Sequence, residues 1–286
     1  MSTYGWELRK LLAQRRTLLG LGVAVLIPAA FAIGLAVSPA KPPAHGEQID
    51  PDVYISLAYN TSGLVLPLIA LFFSSLVLLP LLAALVAGDI VATEDSNNTL
   101  KTVLTRSTPR LELLGAKAAA TATYVVALLV LFGVSGTVIG ALAGGAHPVP
   151  LGGVPLGPTG FTLGANEIGV GSMLARIALT LLFYAAPLLA VSAWGFLLST
   201  LTRNSGAAIV GMLVFSFANQ IIGFLPNIPS SVTTWLLTDQ FTAWQVTLGT
   251  SIDTGPLWHA LLVSLLYAVP PLAVSAWYFR RRDVLV

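Results

Sequence analysis

Between Asp52 and Asp89 the chain runs through 36 residues, Val53 to Gly88, without one Asp, Glu, Lys or Arg, and from Ala118 to Asn166 it does so again. Charge-free runs well beyond about 20 residues can enter hydrocarbon, whereas the stretch between them cannot. That stretch, Asp89 to Lys117, carries Lys101, Arg106, Arg110 and Lys117 beside Asp89, Glu94, Asp95 and Glu112. The sequence therefore reads as a membrane chain with one long polar interruption, and its water-facing work is expected there. Composition agrees: 56% of the residues are hydrophobic and only 9% charged, too little polar surface to clothe a soluble globule. The chain has no cysteine, which excludes disulfides and thiolate metal sites.

In chain order, Tyr4, Leu8, Leu11 and Leu12 fall on one helical face and Glu7, Lys10 and Gln14 on another. This predicts an interfacial helix within residues 1–17, the alternative being a solvated basic tail. The run Leu18 to Val37 is long enough to span, so Arg9, Lys10, Arg15 and Arg16 before it are read as orientation charges, not as the start of a signal peptide. The first predicted span covers about Leu18 to Ser38. An outer loop with Glu47, Asp50 and Asp52 against Lys41 follows. The second span lies between Asp52 and Asp89, where 36 residues would make roughly 54 Å of helix against a core of about 30 Å. It must tilt, kink or protrude, with Pro67 and Pro80 as the expected kink sites.

The third span is expected to start at Thr108-Pro109, with Glu112 in its first turn. Gly136, Gly140 and Gly144 recur along it at four-residue spacing, which permits close approach of a second helix, from this chain or from another subunit. Ala146 to Gly171 is rich in Gly and Pro and predicts an outer loop with little regular structure. A fourth span, about Ser172 to Leu201, holds Arg176 near its outer end, where it could line a path, snorkel outward or pair with Glu167. The fifth span covers about Ala207 to Phe224. In the external segment 225–255, Leu237, Phe241, Trp244 and Leu248 repeat at helical spacing, giving a short helix that is either interfacial or re-entrant. The sixth span, about Pro256 to Phe279, stops at Arg280, Arg281 and Arg282.

With both termini inside, every basic residue except Lys41 and Arg176 falls on the cytoplasmic side, as the positive-inside rule requires. The expected architecture is an all-α polytopic membrane protein: one transmembrane domain over residues 1–286, with six spans and a multi-pass placement in a bacterial-type plasma membrane. No GxxxxGK[ST], HExxH or GxSxG motif is present, so neither an ATPase site of that kind nor a membrane hydrolase is indicated. His45, His147 and His259 are isolated in sequence and do not suggest a metal site. No span holds an unambiguous buried Asp or Glu, which argues against a proton relay. No catalytic residue, metal or nucleic-acid partner is expected.

The segment Glu94 to Lys117, EDSNNTLKTVLTRSTPRLELLGAK, resembles the cytoplasmic segment of ABC-2 type transporter permeases. In that family an acidic start, a Gly-Thr-Leu, a leucine pair, and a Pro with a basic residue precede a Lys at the next helix. Asn98 stands where glycine is usual, and Asn tolerates the left-handed conformation glycine would supply. The amphipathic amino-terminal helix, the six spans and the outer helix between the last two are similar to that family as well. The resemblance implies that Glu94, Asn98, Thr99, Leu100, Val103, Leu104 and Arg106 belong to a coupling helix docking on a separate ATPase subunit. Two permease copies, identical or homologous, would surround the substrate path, and two ATPase copies would carry the ATP and Mg. The residues themselves fit a docking helix. Thr99, Leu100, Val103 and Leu104 form an apolar ridge, and Lys101 and Arg106 supply charge. A solvated loop packed on its own chain is the competing reading. The functional expectation is an ATP-driven exporter subunit that is not itself an enzyme, with a stand-alone secondary transporter or a non-transporting scaffold as alternatives.

Overall fold

The computed structural model describes residues 2–37, 59–96, 109–150, 154–155, 162–163, 167–225, 228–249 and 251–281. A short helix, α1 (Thr3–Leu12), is capped by Ser2 and leads through a tight turn into α2 (Arg15–Val37). A 3-10 turn, Gly63–Val65, opens α3 (Leu66–Ser74), followed by α4 (Leu78–Ala87) and the single-turn α5 (Ala92–Ser96). Then come α6 (Arg110–Gly144), α7 (Val170–Thr202) and α8 (Ser205–Phe224). Two short helices, α9 (Ser230–Thr233) and α10 (Leu237–Gln240), and a 3-10 stretch, Ala243–Leu248, precede α11 (Thr254–Arg281).

The protein is an all-α polytopic membrane protein. Five helices among the described residues are long and apolar enough to cross a membrane: α2, α6, α7, α8 and α11. Two further pieces, Gly63–Ser74 and Leu78–Ser96, meet at a bend of 68°. The long helices expose much of their apolar surface, Leu19, Leu26, Leu142, Leu182, Val214 and Leu266 among it, as helices facing lipid must. Their small moments fit hydrocarbon on one side and protein on the other. α2 lies along α6, and α11 along α7.

The bend in the second hydrophobic run falls at Ser75–Val77, not at a proline. Pro67 sits in the first turn of α3 and Pro80 in the first turn of α4, where a helix has no intrahelical partner for its N–H groups and proline costs little. The carbonyls freed by the break are taken up by neighbours. Tyr184 of α7 donates its hydroxyl to Ser75 O at 2.7 Å, and Gln220 of α8 donates its amide to Leu76 O at 3.0 Å. An open helix at membrane depth survives only with such replacements.

Two expectations about the outer side need correction. The segment after α6 contains paired short strands, β1 (Val149–Pro150) with β4 (Glu167–Ile168) and β2 (Val154–Pro155) with β3 (Thr162–Leu163), both antiparallel. The segment before α11 is not one helix but three short pieces. Leu237, Phe241, Trp244 and Leu248 are nonetheless all buried, so the apolar face is real although the backbone is interrupted. Arg176 donates to the carbonyls of Thr247 and, at 2.7 Å, of Gly249, and Thr180 meets Thr247 at 2.7 Å. These bonds tie the end of the 3-10 stretch to α7.

Candidate functional site

The polar stretch between the two charge-free runs is entered at Gly88–Ser96 and left at Pro109–Lys117, and three of its charged side chains, Asp89, Glu94 and Lys117, are buried there. Lys117 is fully buried in the second turn of α6. Its ammonium lies 2.6 Å from Glu94 Oε1 and 3.0 Å from Glu7 Oε2, with Ile90 O at 3.4 Å. A lysine inside an apolar helix would otherwise lose its hydration without return, and two carboxylates with a carbonyl replace that shell. Lys10, one turn after Glu7 on α1, also pairs with Glu94 Oε1. Burial raises the Glu7 carboxyl above its ordinary value; Lys117 opposes that shift and the nearby Glu94 adds to it.

A second buried anion, Asp89, organises the corner between α4 and α5. Its Oδ1 receives Arg16 from the start of α2, the Thr93 hydroxyl, and the Ser205 hydroxyl at 2.6 Å from the first turn of α8. Ser199 Oγ of α7 accepts Val91 N at 3.2 Å and Ala92 N at 3.0 Å, serving the free N–H groups where α5 begins. Arg203 ends α7 in the left-handed conformation at φ 55° and reaches Asp95 at 3.6 Å. The corner is thus held by α1, α2, α6, α7 and α8 at once.

Of the residues singled out for coupling, the structure places Glu94 inside this cluster. Asn98, Thr99, Leu100, Val103, Leu104 and Arg106 lie outside the described residues, as does Lys101. Thr108 lies outside them too, and Pro109 is the residue before α6, one place earlier than a first helical position. Gly136, Gly140 and Gly144 sit apart from the cluster, on the face of α6 that meets the beginning of the second hydrophobic run. A Cβ placed on Gly140 would fall 2.0 Å from Gly63 O, and one on Gly136 2.9 Å from Pro67 Cβ. Gly144 backs onto Gly63 Cα in the same way, so the close approach is made within one chain.

Sequence reasoning set Glu7 on the solvated face of α1, and the structure corrects this: Glu7 is buried together with Leu11, one turn on. The pairing is tertiary, 110 residues apart. A signal did exist. Lys117 lies seven residues inside an otherwise apolar helix and demands an acidic partner, and Glu7 is the one acid among the four bases of the amino terminus.

Among the described residues no group of three or more His, Asp or Glu side chains is placed to hold a metal ion. A family model described as "Protein of unknown function (DUF2705)" matches residues 53–285, from the broken second hydrophobic run to the end of α11 and beyond. No curated protein matches the chain.

Proposed function

The chain belongs to the DUF2705 family, and from that premise we propose that it is the membrane-spanning permease subunit of an ATP-driven ABC transporter of exporter type. The bent pair counts as the second of six spans in this reading, both termini are cytoplasmic, and the membrane is the plasma membrane. ATP and Mg bind to a separate ATPase subunit present in two copies, and a second permease copy or homologous permease completes the path.

The observation that carries the reading is the buried Glu7–Lys117–Glu94 cluster. Glu94 and Lys117 stand at the two ends of the cytoplasmic segment that resembles a coupling helix. A force applied to that segment by a partner is delivered through buried ion pairs to α1 and α6, and through Asp89 and Ser199 to α2, α7 and α8. Rigid linkage of this kind suits hinge and shear motion. A solvated loop has no need of it.

One observation favours a second reading, a secondary transporter. Broken helices whose freed carbonyls are held by neighbouring side chains recur at ion-coupled substrate sites, and α3–α4 is such a helix. The two readings separate in proteoliposomes. The purified chain alone is expected to transport nothing under a proton or sodium gradient, and activity is expected only with a cognate ATPase; gradient-driven uptake by the chain alone promotes the second reading. Leu100→Asp and Leu104→Asp test the docking surface itself. Both are expected to abolish co-purification with the ATPase while membrane insertion is kept.

A further inference from the structure

A cavity of about 180 Å³ lies between α1 and the Asp89–Glu94 corner, lined by Glu7, Lys10, Gln14, Asp89, Thr93 and Glu94, with Leu11 and Ile90 as its apolar wall. Most of its polar groups have partners: Asp89 holds Arg16, Thr93 and Ser205, Glu94 holds Lys10 and Lys117, and Gln14 Oε1 accepts Arg16 Nε at 3.2 Å. Glu7 differs. The residue is 98% buried, its Oε2 faces Lys117, and its Oε1 receives no hydrogen bond from any described group. Lys117 does not line the cavity and Glu7 does. A buried carboxylate oxygen without a donor is costly, and a cavity beside it is where a donor would come from.

We propose that this cavity binds a primary ammonium group, with Glu7 Oε1 as its anionic acceptor and the Thr93 and Gln14 oxygens as the remaining acceptors. An anion is excluded by the carboxylate lining. A divalent metal ion is disfavoured because each of the three carboxylates already faces Lys10, Lys117 or Arg16, which leaves Glu7 Oε1 as the acceptor still open. A single positive charge carrying several N–H donors matches one open carboxylate oxygen and two neutral acceptors. It would also offset the burial that disfavours ionised Glu7.

The place of the cavity points to a source. It sits where α2 begins, at Arg15, beside the lower turns of α6, so it lies at the height of lipid headgroups. Lys10, which lines it, and Arg16, which bonds its Asp89 and Gln14, keep 33% and 41% of their side chains exposed, which leaves cationic surface for the phosphate that accompanies an ethanolamine headgroup. The inference goes beyond transport and holds whether or not an ATPase docks.

The test uses the full chain purified in detergent, native mass spectrometry to count retained lipid, and thermal unfolding. Phosphatidylethanolamine is expected to be retained at least fivefold over phosphatidylcholine, whose quaternary nitrogen has no N–H. Glu7→Gln is expected to erase that preference. Because Glu7→Gln also weakens the bond to Lys117, Thr93→Val serves as the second variant, leaving every Glu7 and Glu94 ion pair in place; its lost bond to Asp89 lowers the unfolding temperature in either lipid alike, and the preference for phosphatidylethanolamine is expected to fall beyond that common loss. Free ethanolamine added to lipid-stripped protein separates the sources. Stabilisation by the free amine without lipid preference identifies a soluble ligand of the same chemistry. No response to either amine, or an equal response to potassium ions, overturns the proposal.

Discussion

Glu94 and Lys117 are 23 residues apart in the chain and 2.6 Å apart in space, so the polar segment between them is a closed loop with a buried clasp. Both ends of whatever the segment does are fixed to each other before they are fixed to anything else.

Removing the clasp should be severe. Lys117→Met leaves Glu7 and Glu94 buried with one fewer cation and is expected to cost about 3–5 kcal/mol, since breaking a buried pair strands the remaining charge. Thermal unfolding in detergent measures this. Exchanging the whole triad for Met at 117 and Gln at 7 and 94 is expected to recover a large part of the loss, because no buried charge is then stranded and Lys10, which loses Glu94, is a third exposed to water; a triple variant as unstable as the single one contradicts the account.

The pH dependence follows from Glu7. Its folded-state carboxyl titrates above the ordinary value of 4.5, so the folded protein holds this proton more tightly than the unfolded chain does. The corresponding stability is fully present below the unfolded value and is lost as pH rises through the raised folded value. The wild type is therefore expected to lose stability with rising pH in that window relative to Glu7→Gln, whose difference curve isolates this group. A rise in the same window contradicts the sign.

Gly140→Ala tests the contact between α6 and the turn at Gly63. The added methyl meets backbone, which cannot rotate away, and the expected destabilisation is about 1–3 kcal/mol, as for overpacking elsewhere. Gly22→Ala on α2, where a Cβ meets nothing within 4 Å, is the control and should be neutral. Equal unfolding temperatures for the two variants would remove the contact from the account.

Orientation is testable because the chain has no cysteine. A cysteine at Ser96, exposed at the end of α5, is expected to resist an impermeant thiol reagent in intact cells and to react after lysis. Cysteines at His147 and Ser231, both exposed, are expected to react at once. Thr247 is a poor reporter, being fully buried against Thr180. Labelling at Ser96 in intact cells inverts the topology.

The membrane-crossing helices were legible because hydrocarbon excludes charge: Val53–Gly88 and Ala118–Asn166 announce themselves by what they lack. The ends of α6, α7 and α8 came within a few residues of expectation for similar reasons, with Asn204 capping α8 as its amide predisposes it to do. The burial of Glu7 was not legible from α1 alone, because periodicity assigns a carboxylate to water unless its partner is known. The break at Ser75–Val77 left no local trace, since Ser, Leu and Val carry no helix-breaking chemistry. It depends on Tyr184 and Gln220 arriving from elsewhere. At the outer side, the repeat from Leu237 to Leu248 was read as one helix because burial pattern and backbone continuity are different properties, and only the former is written in side-chain spacing.

The break in the second hydrophobic run divides that run into two parts with unlike moorings. Its first part begins at Gly63, in direct backbone contact with Gly140, where not even a methyl group fits. Its second part ends at Asp89, whose carboxylate is shared by α2 and α8. Between them, Tyr184 and Gln220 each reach the joint from a neighbouring helix by one hydrogen bond. Displacement entering at the Asp89 end can therefore be taken up at the break by exchanging two bonds, leaving the Gly63–Gly140 contact at the other end undisturbed. In such an arrangement one leaf can open while the other stays shut.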